Sequence, residues 1–347
     1  MRPSEGSTRS LWLAAGNNRW VLDRRTLCSG HATLLGSVSE GPGSALQKVF
    51  LNSGWYDAGQ LDGRLSQVVR GGQGLALHFG QETKLTIAAC VRLRAYLDAL
   101  GDQGLPVELH DLATWGLGAY LDRVGVFEQL TPSVSVVGLE PAGQSQARRG
   151  QSEALEEIVR IPISGPMDRS VAERLSGKLA ACALPQVREA LANTAFTCFA
   201  ELIGNVRTHS ASPSPGYAAL QVYTPRQGSR RLVEVVVADA GLGILQTLRP
   251  ALLAKQAPQG ALDDQALLLY AVNSGISRHG EEAGCGITQS AKRLLRLPEP
   301  RLELRLPDMR VRFEPGPAGG YVITQARTGA AVAPLPGTHW IFRYALD

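Results

Sequence analysis

Hydrophobic and polar positions change their period several times along this chain, and each change marks an element. Leu75–Phe79 alternates as a short strand, Leu85 to Leu100 follows a helical period and stops at Gly101, and Pro106–His110 is a second strand. Trp115 to Val124 is a second helix, ended by Gly125. Short strands alternating with helices of this length predict a sheet with helices packed on it. Further on, a helix is predicted from about Gln186 to His209, a β-branched strand over Leu232–Ala238, and a helix from Thr288 to about Leu295. Between the two halves, Gly143–Ser152 is polar and small-residue rich, as an interdomain linker is. Near the start, Leu11-Trp-Leu and Arg19-Trp-Val-Leu flank Gly16-Asn17-Asn18, a turn that suits a hairpin. The expected fold class is therefore α/β with two domains: an unassigned extension over 1–44, a first domain over 45–140, a linker over 141–154 and a second domain over 155–347.

The second half carries three polar or glycine-rich signatures. Glu201, Asn205 and His209 recur every four residues and so share one helix face. With Glu201 as zero and about 100° per residue, Asn205 falls near 40° and His209 near 80°, beside Leu191, Cys198 and Leu202 at roughly 60–100°. Polar groups beside an apolar stripe require partners, so the trio invites a cleft. The strand Leu232–Ala238 runs into Asp239-Ala-Gly241-Leu-Gly243, where a carboxylate can meet a ligand amine and glycines admit close backbone approach. Gly280-Glu-Glu-Ala-Gly284-Cys-Gly286 then opens a helix, and free N–H groups at such an end suit phosphate.

In this order the three segments resemble the N, G1 and G2 boxes of the GHKL ATP-binding family, which includes type II topoisomerases, heat-shock chaperones, mismatch-repair ATPases, histidine kinases and anti-sigma-factor serine kinases. Gly337-Thr338, before the last strand, is similar to the G3 box. The resemblance covers about residues 155 to 347 and implies a Bergerat-type α+β sandwich, a mixed sheet covered by helices on one face. It implies ATP and Mg²⁺ as ligands, with Asn205 on the metal, Glu201 as general base and Asp239 on the adenine amino group. His209 and Thr338 join the nucleotide-binding set. Gly241 and Gly243 would shape the pocket wall, Gly284 and Gly286 would bring N–H groups to the phosphates, and residues from Ile244 to Ala283 would form a lid, with Arg278 and His279 at its end. Residues 45 to 130 resemble the STAS fold of anti-sigma-factor antagonists in hydrophobic pattern and in the ending Tyr120–Phe127. Where regulated antagonists start a helix with serine, this chain has Thr86-Ile87-Ala88, and a helix-capping role is expected for Thr83 or Thr86.

Composition narrows the function. Apolar residues make up 44% and charged residues 19% of the 347, the balance of an ordinary globular protein. No stretch reaches about 18 uninterrupted apolar residues, so a cytoplasmic protein with no membrane span is expected. A net charge of +4 without a block of like charges indicates no dedicated nucleic-acid patch. The five cysteines lack CxxC spacing and read as reduced thiols, with Cys285 notable for its place between glycines. Histidines are dispersed, so a metal would require oxygen ligands. The absence of histidine between His110 and His209 argues against autophosphorylation on an upstream helix, and the end at Asp347 argues against a DNA-clamp ATPase with a following lysine domain. An anti-sigma-like serine/threonine kinase or weak ATPase in partner switching is the expected function, with a non-catalytic ATP-sensing docking module as the alternative. A protein partner is expected in both cases, and a homodimer is a further option.

Overall fold

The computed structural model describes residues 11–15, 18–22, 46–66, 72–113, 116–139, 147–164, 168–209, 212, 214–224, 230–274 and 285–346. It is a mixed α/β protein with parallel and antiparallel sheets. The expected hairpin forms at the start, where β1 (Leu11–Ala15) pairs antiparallel with β2 (Asn18–Leu22).

The first half is built on four parallel strands in the order β3 (Gln47–Leu51), β5 (Leu75–Phe79), β7 (Val107–His110) and β8 (Val134–Val136). A short parallel pair, β4 (Gly54–Tyr56) and β6 (Thr83–Leu85), stands beside them. The helices are α1 (Ala58–Leu65), α2 (Ile87–Asp102) and α3 (Leu117–Val124). Asp57 and Gln60 form a reciprocal capping box on α1. Thr86 caps α2 by accepting from Ala89 N at 3.3 Å, whereas Thr83 is a buried strand residue donating to the carbonyls of Leu51 and Asn52. Gly125 stops α3 at φ 92°, a conformation suited to glycine.

The second half holds a seven-stranded sheet, ordered β14 (Tyr321–Thr328), β13 (Met309–Pro315), β12 (Arg301–Leu306), β15 (His339–Ala345), β11 (Leu232–Ala238), β10 (Gly216–Tyr223) and β9 (Leu155–Ile161). Its helices are α4 (Ser170–Cys182), α5 (Arg188–His209), α6 (Ile244–Ala254), α7 (Asp264–Ser274) and α8 (Cys285–Leu294). A mixed sheet covered on one face was the expectation, and both features differ. Every described pairing in it is antiparallel, including those of β15, which inserts between β12 and β11.

Both faces are also covered. Alternation sends Val233, Val235, Val237, Leu302, Leu304, Trp340 and Phe342 to one side, where they form a core with α4, α5 and α8. Tyr217, Ala219, Val236, Ala238 and Ile341 point the other way and join one continuous core with α1, α2 and the parallel sheet. Helix α2 lies between the two sheets and is buried almost all round from Ile87 to Leu97, including Arg92 and Arg94. The described part of the segment expected as a linker is packed too: Arg149 pairs with Glu128, and Gly150 N donates to Glu157 at 3.1 Å. No helix among the described residues is long and apolar enough to cross a membrane.

Candidate functional site

Four of the singled-out residues meet at one end of the seven-stranded sheet. Asp239 follows directly on β11, and its Oδ1 accepts from Gly241 N at 2.8 Å, closing an Asx turn. Its own N–H donates to Thr338 O at 3.0 Å, which ties the end of β11 to the residue before β15. The Thr338 side chain is buried and its Oγ1 accepts from Ile244 N at 3.1 Å, so it caps α6 from across the sheet. Gly243, at φ 85°, is the residue before α6 and offers no side-chain cap of its own, which explains why a distant threonine supplies one.

The glycines here are spatial requirements. A Cβ on Gly337, at φ 93°, would lie 1.8 Å from Asp239 O, and one on Gly243 would lie 2.8 Å from Pro307 Cδ. Burial pushes the Asp239 carboxyl up to about 6, partly offset by the N–H groups of Gly241 and Thr338. A carboxylate held near a buried strand end by the Gly241 amide keeps a second oxygen able to accept a hydrogen bond from a ligand amine.

Asn205 precedes Val206, which packs against Gly216 of β10. A Cβ on Gly216 would lie 2.4 Å from Val206 Cγ1 and 2.6 Å from Ala238 O, so Gly216 gives α5 at Val206 close approach to β10, opposite the end of β11. The buried row of α5 is Ala195, Phe199, Leu202, Ile203 and Val206, centred roughly 145° from Glu201 at 100° per residue. Asn205 is half-buried at the margin of that row and Glu201 is exposed one turn back. The stripe thus borders the core less closely than the wheel suggests, because the sheet contact selects a row further round. Glu201 has no partner among the described residues, leaving its carboxylate open.

The remaining candidates are less defined. His209 ends α5, but its side chain lies outside the described residues, as do Gly284, Arg278 and His279. Gly286 stands in the first turn of α8, which is pinned to α7 by Thr288 Oγ1 donating to Ala271 O at 2.7 Å and packs beside α5. The segment expected as a lid contains α6 and α7, packed against each other, before leaving the described residues at 275. Two open cavities lie elsewhere: one of about 860 Å³ between β9 and α4, one of about 340 Å³ between α7 and β14. Neither is lined by the site residues. In the larger, Arg174 and Glu156 pair at 2.7 Å and Lys178 Nζ meets the carbonyls of Gly150 and Ser152, so these three charges serve the fold.

Gly216 was not foreseen as part of the site, nor was the capping of the Ile244 amide by Thr338. Gly216 had a faint signal, a glycine opening a strand, whereas the Ile244 amide gave none. Among the described residues no group of three or more His, Cys, Asp or Glu could hold a metal, so a divalent ion here would depend on Asn205 and ligand oxygens. Comparison of the chain with protein-family models, curated proteins and solved structures found no match.

Proposed function

We propose that this chain binds ATP with Mg²⁺ in the manner of GHKL domains, with residues 155–347 as a Bergerat-type unit and residues 45–140 as a STAS-like layer. The observation that carries this is the joining of Asp239, Gly241, Gly243 and Thr338 at one strand end. These residues are separated by up to about a hundred positions in sequence, and the order of the motifs anticipates their meeting. Asp239 and the glycine walls take the adenine, Asn205 is the oxygen ligand to Mg²⁺, and the N–H groups around Gly284 and Gly286 take phosphate.

In this reading Glu201, exposed and without a partner among the described residues, would deprotonate or orient an acceptor hydroxyl in a serine/threonine kinase or a water in an ATPase. A second reading, a cytoplasmic ATP-sensing docking module in a partner switch, is favoured by one feature. The outer sheet face is already occupied by α2, so nucleotide binding and the N-terminal layer share one core.

Isothermal titration of the full chain with ATP·Mg²⁺ tests this. Wild type binds, Asn205→Ala loses the Mg²⁺-dependent part, and Asp239→Asn loses roughly 10- to 100-fold, as for removal of a hydrogen bond to a charged acceptor. Undiminished affinity in both variants would remove the pocket. Phosphate release and labelling of candidate proteins, present in wild type and absent in Glu201→Ala, separate the enzyme from the sensor.

A further inference from the structure

Thr338 and His339 are consecutive at the start of β15, so their side chains leave opposite faces of the sheet. Thr338 serves the proposed adenine side: its carbonyl holds Asp239 N and its hydroxyl caps α6. His339 faces the N-terminal layer, only 1% exposed, and its Nδ1 accepts from Arg92 Nε of α2 at 3.1 Å. Arg92 also donates to Asp62 of α1, whose other oxygen accepts from Tyr96 OH at 2.9 Å. Arg305, directly opposite His339 in the β12–β15 register, donates to Tyr96 OH at 3.3 Å and to the carbonyls of Ala333 and Leu335, in the segment leading to Gly337.

This lattice is not the most stable way to fill the space. Arg92 Nη2, Arg305 Nε and His339 Nε2 are buried without a hydrogen-bond partner among the described residues, each an unfavourable desolvation that apolar packing avoids. What the polar arrangement does provide is direction. It holds residues 333–339 at a fixed depth, whereas an apolar contact would tolerate sliding.

We propose that Arg92, acting through His339, is a positioning residue for base recognition: it sets the depth of Thr338 and therefore of Asp239, which discriminates an amino from a carbonyl group on a purine. The proposal rests on the ATP reading above. It makes the N-terminal layer part of the specificity of a site on the far face of the sheet, with no contact between that layer and the ligand.

The test measures dissociation constants of the full chain for ATP·Mg²⁺ and GTP·Mg²⁺, whose bases carry an amino group and a carbonyl at the same ring position. Arg92→Met is expected to lose about tenfold for ATP and little for GTP, shrinking the preference, within the usual range of coupling between separated sites. Arg92→Lys, which retains a donor, recovers part of it. A loss shared equally by both nucleotides marks general destabilisation and overturns the proposal, as does an unchanged preference. Should Arg92→Met not fold, the ¹⁵N resonance of His339 Nδ1 in wild type decides: it moves on saturation with ATP·Mg²⁺, and an unmoved resonance overturns the proposal. Failure of the underlying reading is recognised separately, since wild type would then bind neither nucleotide or bind ATP as well with Asp239→Asn.

Discussion

Asp239 combines a site role with a cost to the fold. Its carboxyl is raised from its ordinary value near 3.8 to about 6, so between those pH values the folded chain holds more protons than the unfolded chain. Stability therefore falls as pH rises through that window, by at most about 3 kcal/mol, and the penalty is complete above pH 6. Asp239→Asn keeps an acceptor for Gly241 N, so urea unfolding should show it more stable than wild type at pH 7.5 and indistinguishable near pH 4. A variant that is less stable at pH 7.5 would show the carboxylate to be structural. His339 has the opposite sign: burial, then Arg92 and Arg305, hold its pKa well below the usual value. Its contribution is present above about pH 6.5 and is lost as pH falls, by roughly 1.4 kcal/mol per pH unit. Glycines separate by what stands opposite them. Gly337→Ala meets the backbone carbonyl of Asp239 at a positive φ and should destabilise by about 3 kcal/mol or more. Gly59→Ala meets only the mobile end of Arg310 and gains helix propensity, so its midpoint should stay within about 1 kcal/mol of wild type.

At the scale of elements, α2 depends on the other half of the molecule for its N-terminus. Thr86 accepts from Ala89 N, while Ala88 N donates to Glu234 Oε2 at 2.9 Å and Ile87 N to Tyr223 OH at 2.8 Å, both acceptors on the seven-stranded sheet. Glu234 also receives Arg343 Nε and is only 3% exposed, so one carboxylate joins a helix end, a strand and a cation. Glu234→Ala leaves Arg343 the longer pair with Asp57 at 3.7 Å and frees the Ala88 amide, and should lower the stability of the whole chain by about 2–4 kcal/mol in urea unfolding, with Glu234→Gln losing less. A loss below 1 kcal/mol would mean that solvent reaches this interface. Much of this level was legible beforehand. The strand Leu75–Phe79, the stop at Gly125 and the helix ending at His209 follow from period and glycine placement. The capping partners were not, since Glu234 lies 146 positions from Ala88 and no local pattern links them.

For the whole molecule, the shared core implies shared folding. Leu61, Tyr96, Val236 and Ile341 belong to one buried cluster that spans both sheets. Far-UV circular dichroism and tryptophan fluorescence should give coincident urea midpoints for the full chain. Residues 155–347 expressed alone would expose Tyr217, Ala219, Val236 and Ile341 together with Glu303 and Arg305, and should be aggregated or non-cooperative. Two separate transitions, or a well-folded fragment, would show the layers to be independent.

The strand Arg301-Leu-Glu-Leu-Arg-Leu306 shows where sequence and tertiary structure divide the work. Its residues alternate between an apolar and a charged face, as a backbone period of two allows, whereas Asp239, Gly241 and Gly243 were marked by residue type at a strand end. On its own such a charged face reads as solvated. Only the tertiary structure decided that Glu303 and Arg305 are buried beneath α1 and α2, that Thr338 caps Ile244, and that Gly216 lets Val206 approach β10 closely. Local pattern reports which side of an element is polar. What covers that side is a contact between distant segments, and its geometry exists only once the chain has closed on itself.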